Sequence, residues 1–399
     1  MTGGVPFDEA RSIAHALGAA TPVRPIDVPL AQAAGLVLAA DVVAPRPMPA
    51  FAASAMDGWV VAGSSPWRVG EAILAGDDPC AVPLEAGRAR PIATGAPVPA
   101  GALAVLRREH GRLDADRMLR PLEPGGPPPG ADLRPAGEEA DQGEVLLRAG
   151  VRLGIGAVAL AAAAGCSSLA VRRPRLVVVV TGDEVRTVGE AGGGAVRDAL
   201  GPALAALVPA LGAELVVLEH AGDDVDVLVE RLLAASATAD AIVTTGGSSH
   251  GPADLVRAAI AAAGGRILVP EVAMRPGHPV LVAEGVGAAP GCDGVPLVGL
   301  PGNPLAALAT AATVLAPLVR GLQGAPPATP AERRRHPIPD GFPASRPGCT
   351  MVLPWRSDDD GAPVPTGWTG SGMLRGIAAA DGLVAIDETG ARFLDLPGR

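Results

Sequence analysis

Six acidic residues in the middle of the chain stand beside short apolar runs. Asp183 and Glu184 follow Leu176–Val180, and Asp198 sits near the start of an Ala-rich stretch. Asp223 and Asp224 follow Glu214–Leu218, and Asp254 follows a Gly-Gly-Ser-Ser loop. Carboxylates that converge at one edge repel one another unless a cation joins them. Mg2+ is the usual solution, because it takes hard oxygen ligands and bridges phosphates. The plain alternative is helix capping, since Asp223 and Asp254 both precede apolar helical runs. One such acid favours the cap; several at one edge favour chemistry on a phosphate-bearing substrate.

Two loops supply what such a substrate needs. Thr245-Gly246-Gly247-Ser248-Ser249 and Pro301-Gly302-Asn303-Pro304 each lie between an apolar run and an Ala-rich one. Exposed N–H groups at a helix start attract phosphates and oxyanions. Asn303 can cap, and Pro304 suits the first helical turn. The alternative is a tight turn that needs glycine. Arg275-Pro276-Gly277-His278-Pro279 sets a cation and a titratable ring around a rigid turn that could clasp an oxyanion, with a neutral surface His as the plain alternative.

The elements that must position these groups read as a parallel sheet. Leu176–Val180, Glu214–Leu218, Ala241–Thr244, Ile267–Val269 and Leu297–Leu300 lack polar alternation, as strands covered on both faces do. Helices are expected at 195–211, 225–235, 253–263 and 305–320. That alternation predicts a doubly wound α/β domain over 175–323, with ligands beyond the carboxyl ends of its strands.

The remainder divides by composition. Residues 1–50 and 137–174 read as an N-terminal and linker domain, 51–136 as a β-rich lobe, and 331–399 as short β-runs with turns. Inside the lobe, Asp57-Gly58 reads as a hairpin turn and the stretch around Thr94 as a Pro-rigidified loop.

At 399 residues the chain is too long for one ordinary core. No stretch reads as about 20 unbroken apolar residues, the length a membrane helix needs. Met1–Phe7 has neither the basic start nor the apolar core of a signal peptide. The expectation is a cytoplasmic protein with no membrane partner. Cys80, Cys166, Cys292 and Cys349 stand too far apart for a zinc or redox motif. The net charge is −10, every basic residue other than His is Arg, and aromatics are 2%. That balance argues against a nucleic-acid partner. Any anionic ligand must be held by local Arg and backbone N–H groups, against the overall field.

Taken together and in order, the motifs resemble those of the molybdopterin molybdenumtransferase family, which includes the C-terminal domain of gephyrin. They are SAMDGWV at Ser54–Val60, ATGAPVPAGALAVL at Ala93–Leu106, VVTGDEV at Val179–Val185, GDD at Gly222–Asp224, TTGGSSHGPAD at Thr244–Asp254, RPGHP at Arg275–Pro279, GLPGNP at Gly299–Pro304 and TGSGML at Thr369–Leu374. They span nearly the whole chain. The resemblance implies an elongated homodimer with a linker domain, a β-rich lobe, the central α/β domain and a C-terminal β-barrel. Its implied reaction joins molybdate to adenylylated molybdopterin with a divalent cation, and AMP leaves. Asp57 and Thr94 would come from the lobe of a second subunit. Glu184, Asp223 and Asp254 would handle the cation and phosphate. Asp183 would contact the substrate, and Ser371 would approach it from the barrel. An upstream adenylyltransferase and acceptor molybdoenzymes are the implied partners.

The departures bear on the anion site. The family's Lys-Pro-Gly-Lys-Pro is Arg275 to Pro279 here, so His278 stands where a second Lys is usual. The usual Asp-Ser-Asn is Asp198-Ala199-Leu200, and the usual Ser-Val-Gly-Glu is Ser249-His250-Gly251-Pro252. Cys349 and Met351 replace the Phe and second Arg of an Arg-x-x-Phe-x-Arg pattern beginning at Arg346. A non-catalytic homologue that binds molybdopterin or a partner protein is therefore the alternative to an enzyme.

Overall fold

The central sheet has inner strands that hide both faces, but its edge strand Glu214–Ala221 does not: Val216, Val217 and Leu218 are exposed, correcting the expectation that Glu214–Leu218 is covered on both faces. In the computed structural model, which describes residues 3–78, 82–247, 255–290 and 293–398, its strands are β1 (Arg175–Thr181), β2 (Glu214–Ala221), β3 (Ala241–Thr245), β4 (Arg266–Val269), β5 (Leu281–Val286) and β6 (Val295–Leu300). Val177 and Val179 of β1 join one apolar cluster, with Leu228, Leu232, Val256 and Ile260. Leu176, Val178 and Val180 join another, with Leu204, Val208, Leu305 and Leu318. Side chains alternate across a strand, so an unbroken Val run feeds both faces equally.

The strand order is β2-β1-β3-β6-β5-β4. The first four run parallel, and β5 is antiparallel to both β6 and β4. The sheet is thus mostly parallel. Strand β5 is absent from the expected set because Glu284 and Gly285 interrupt its apolar run, although Leu281, Val282 and Ala283 are fully buried.

Helices α1 (Leu200–Ala210), α2 (Val225–Ser236), α3 (Leu255–Ala262), α4 (Pro304–Thr310) and α5 (Ala316–Leu322) cover the two faces. The first begins later than expected, because Val196–Arg197 forms a short strand paired with Val185–Arg186. A π-helical turn, Ala311–Leu315, joins α4 to α5. The resulting run Pro304–Leu322 is 19 residues with mean hydropathy 1.7. It contains Thr310, Thr313 and Arg320, so it is not an unbroken apolar stretch, and 83% of its apolar window is buried, the signature of a core helix.

The tail belongs to the same core. Its strand Thr350–Ser357 pairs antiparallel with Gly382–Asp387, which pairs with Gly390–Leu394. Met274–Arg275, between β4 and β5, adds in parallel to Thr350–Ser357, and Pro363–Pro365 adds antiparallel. These ladders form an open path among the described residues, where a closed barrel was expected. Val352, Leu383 and Ala385 enter the same apolar cluster as the central sheet. The N-terminal helix Phe7–Ala20 enters it too, through Phe7, Ala10 and Ala14.

Two compact units result. One comprises Met1–Ala40, Ala149–Ile155 and Ser168–Arg399; the other comprises Asp41–Arg148 and Gly156–Ser167. The second is the β-rich part. Its six-stranded sheet runs Ala104–Arg107, Gly58–Ala62, Arg88–Ile92, Trp67–Val69, Met118–Pro121 and Gly111–Leu113.

Candidate active site

The carboxyl ends of four parallel strands stand level. Thr181 is opposite Ala221, Val180 opposite Thr245, and Thr245 opposite Leu300. The chain leaves β1 for β2 on one side, then returns past β1 to β3 on the other. Such a reversal opens a crevice where ligands bind in α/β sheets. The Thr181 hydroxyl donates to the Thr245 carbonyl at 2.6 Å across that switch point, and the Gly246 N–H donates to the Leu300 carbonyl at 3.0 Å. A Cβ on Gly246 would lie 2.9 Å from Thr181 Oγ1, and its φ is +85°, so both space and backbone require glycine.

The acids at this edge separate by what they do. Asp224 caps α2, accepting from the N–H groups of Asp226 and Val227 at 2.9 and 3.1 Å. Asp198 accepts from Leu200 and Gly201 N–H at 2.9 and 2.8 Å at the start of α1. Asp223 is not the cap. Its N–H donates to Asp183 Oδ1 at 3.2 Å, and the Asp183 N–H donates to Asp223 Oδ2 at 3.3 Å. Each carboxylate keeps one oxygen outside this exchange. Glu184 folds back over Gly182, where a Cβ would lie 2.6 Å from Glu184 Oε2. Asp183, Glu184 and Asp223 are all exposed. Ser249 and Asp254 lie outside the described residues. Among the described residues no three His, Cys, Asp or Glu side chains are grouped to hold a metal ion.

His220 completes this edge and was not among the expected site residues. Its Nε2 lies 2.8 Å from the Gly182 carbonyl oxygen. A carbonyl only accepts, so Nε2 carries the hydrogen. The signal in the sequence was a His one residue before the end of an apolar strand.

The other loops gather at the tail. The Pro301-Gly302-Asn303 turn leads into α4, with Pro304 in its first turn as expected. The Asn303 side chain makes no capping bond, contrary to expectation, and stays exposed. The Ala306 N–H donates to the Ser371 carbonyl at 3.1 Å, docking the Thr369–Leu374 loop on this helix. An open cleft of about 550 Å³ is lined by Arg275, Met351, Thr366, Thr369 and Ser371 among others. Arg275 stands directly opposite Met351 in the ladder. Arg275 makes no ion pair among the described residues, so its guanidinium is available to an anion.

His278 does not share that position. Its Nδ1 lies 2.8 Å from the Val272 carbonyl oxygen and its Nε2 lies 3.2 Å from Glu271 Oε2. Both partners are acceptors within its own loop. The ring braces the turn and does not line the Arg275 cleft. His278 and Arg275 thus have different partners in the structure, the ring facing Val272 and Glu271 and the guanidinium lining the cleft.

In the second unit, register brings Asp57 and Thr94 together. Gly58 pairs with Ile92, so the residues just outside that pair meet. The Thr94 N–H and hydroxyl donate to Asp57 Oδ1 at 2.7 and 2.9 Å. These bonds, the main-chain one first, hold the Asp57 carboxyl below its ordinary range, and Arg108 adds to them. Asp57 is an anion at neutral pH, with Oδ2 outside the exchange. Gly58 is obligatory here, since a Cβ would lie 2.1 Å from the Leu106 carbonyl oxygen.

A mixed α/β fold with phosphate-suited loops at the strand ends, joined to a β-rich unit with a held carboxylate, defines a class of cofactor-handling enzyme. Residues 5–165 match the family described as MoeA N-terminal region (domain I and II), and 177–321 match the probable molybdopterin binding domain. Molybdopterin molybdenumtransferase 2 of Mycobacterium tuberculosis is 34% identical over 384 residues, covering 92% of this chain and 91% of the relative. The molybdopterin molybdenumtransferase of Haemophilus influenzae is 30% identical over 301 residues, covering 74% and 72%. The crystal structure of a molybdopterin biosynthesis MoeA protein from Pyrococcus horikoshii covers 98% of this chain and 96% of its own, with TM-score 0.71 and 26% identity. The chain belongs to the molybdopterin molybdenumtransferase family, transferases of molybdenum cofactor biosynthesis.

Proposed function

We propose that this protein inserts molybdate into adenylylated molybdopterin and releases AMP, forming molybdenum cofactor in the cytoplasm. The supporting observation is that β1, β2, β3 and β6 end level, so that their motif loops share one sheet edge in the same unit as the Arg275–Ser371 cleft.

Each group has a role that its geometry supports. Gly247 and Gly302, at turns beside the switch point, offer backbone N–H groups to phosphate, with the Asn303 amide beside them. Gly246 shapes the turn, its own N–H being committed to Leu300. Asp183 and its partner Asp223 lock the loops that face the nucleotide. The donor set at this edge is exposed carboxylate oxygen, which suits a hard cation. Glu184 and Asp223 would hold Mg2+, with Asp254 and substrate phosphate as further ligands; carboxylates together with substrate phosphate are how Mg2+ is usually held. When bound, Mg2+ neutralises charge on the phosphate. Arg275 and the Ser371 hydroxyl bind molybdate. Asp57 and Thr94 reach the site from a second subunit of a homodimer. The adenylylated substrate comes from an upstream adenylyltransferase, and acceptor molybdoenzymes take the product.

The test is release of AMP from adenylylated molybdopterin by purified protein, with and without molybdate. Molybdate-dependent release supports the reading. Tight binding of the pterin nucleotide without release would instead make the protein a non-catalytic homologue.

A further inference from the structure

The loop that carries Thr369 and Ser371 into the cleft also carries an unusual pair. The Arg375 guanidinium carbon lies 3.9 Å from the centroid of the Trp368 ring. Trp368 is 52% exposed and has φ +56°. A bulky residue with positive φ is a conformational outlier, and an outlier persists only where its surroundings impose it. Here they do: a Cβ on Gly376 would lie 2.3 Å from the Gly367 carbonyl oxygen and 2.9 Å from that of Trp368, so the turn is pressed onto the helix that follows. The outcome is a large ring kept half in solvent, next in sequence to Thr369, which lines a mostly apolar cleft that also holds Arg275 and Ser371. Arg375 makes no ion pair among the described residues, although the chain carries net charge −10. A guanidinium held over an indole by its π-face still has N–H donors to offer an oxyanion.

The geometry points to Trp368 and Arg375 as a substrate-binding shelf at the rim of the Arg275–Ser371 cleft. The indole stacks a flat nitrogen-rich ring of the ligand, and the Arg375 fork pairs with the phosphate that ring bears. The shelf restores a cation on the tail side of the cleft, where Met351 stands opposite Arg275. This inference rests on the proposed function, whose substrate carries two such rings, the pterin and the adenine.

Equilibrium binding of AMP and of molybdopterin, each alone, separates the two rings. The proteins compared are wild type, Trp368→Leu, Trp368→Phe, Arg375→Gln and Arg375→Lys, together with AMP release by each. The expected result is that Trp368→Leu weakens one of the two ligands about tenfold or more, the scale of one base–aromatic stack, and leaves the other unchanged. Trp368→Phe should recover most of that loss. Arg375→Gln should weaken the same ligand, with Arg375→Lys intermediate. KM should rise in step while kcat is maintained. If all variants bind both ligands within twofold of wild type while AMP release persists, the shelf is overturned and the proposed function stands. If wild type binds neither ligand yet releases AMP, the shelf is overturned and the proposed function stands; if it binds neither and releases no AMP, both fall. Should Trp368→Leu fail to fold, Trp368→Phe and the two Arg375 variants decide the matter by the same criteria.

Discussion

Asp183 and Asp223 each accept the other's main-chain N–H, at 3.2 and 3.3 Å. The exchange ties the loop after β1 to the loop after β2 across adjacent strands. It uses one oxygen of each carboxylate and settles the main chain of both turns. It also requires little room between them: a Cβ on Gly222 would lie 2.6 Å from Asp183 Oδ1.

Asp223→Asn separates the lock from the charge. The amide oxygen can still accept the Asp183 N–H, so the melting temperature should move by no more than a few degrees. Mg2+ should be held more weakly, because one of the three carboxylates proposed to hold it loses its charge. A Mg2+ titration of AMP release should show a half-saturation raised about tenfold, since charge-assisted contacts are roughly twice as strong as neutral ones. An unchanged Mg2+ dependence would remove Asp223 from the cation site.

Thr94→Val tests the held carboxylate. It removes the hydroxyl donor to Asp57 Oδ1 and keeps the N–H donor. The Asp57 carboxyl is depressed by both bonds, so losing one raises it toward its ordinary value. A function that needs ionised Asp57 is present above its pKa and lost as pH falls through it. The acid limb of the pH–rate profile should therefore move to higher pH in Thr94→Val, and an NMR titration of the Asp57 carboxyl carbon should move the same way.

Arg275 and His278 should part company on molybdate. Arg275 faces the cleft without a carboxylate, whereas His278 is engaged by Val272 and Glu271. Arg275→Gln should raise the molybdate half-saturation about tenfold. His278→Lys should leave molybdate dependence between about pH 6 and 9 as in wild type, a range that brackets an ordinary His. Restoration of alkaline molybdate affinity by His278→Lys would put the ring back in the anion site.

Gly321→Ala should destabilise the first unit. A Cβ there would lie 2.2 Å from the His15 carbonyl oxygen, and one on Gly18 would lie 2.1 Å from that of Leu318. The helix Phe7–Ala20 and α5 approach backbone to backbone at these glycines. Overpacking of this kind costs about 1–3 kcal/mol. Chemical denaturation should show it as a lower midpoint with an unchanged slope.

The sequence by itself determined the layers and the site's address. Val runs without polar alternation mean strands buried on both faces, and Ala-rich stretches between them mean crossover helices. Together they put Asp183, Asp223, Gly246 and Asn303 at strand ends. The order of the short motifs determined the family. Local pattern could not supply β5, because its burial comes from pairing with β6 and β4 while Glu284 and Gly285 break its apolar run. Nor could it sort the acids. Asp198 and Asp224 accept from N–H groups two and three residues on, whereas the Asp183–Asp223 exchange joins the ends of two strands 40 residues apart and leaves no mark in the local pattern. His278 stands beside Arg275 in sequence, yet its ring turns to Glu271 because both its nitrogens find acceptors there. Trp368 and Arg375 stand seven residues apart, and it is the packed turn at Gly376 that sets the guanidinium over the indole. These are tertiary decisions: each depends on a distance between groups whose separation along the chain carries no such information.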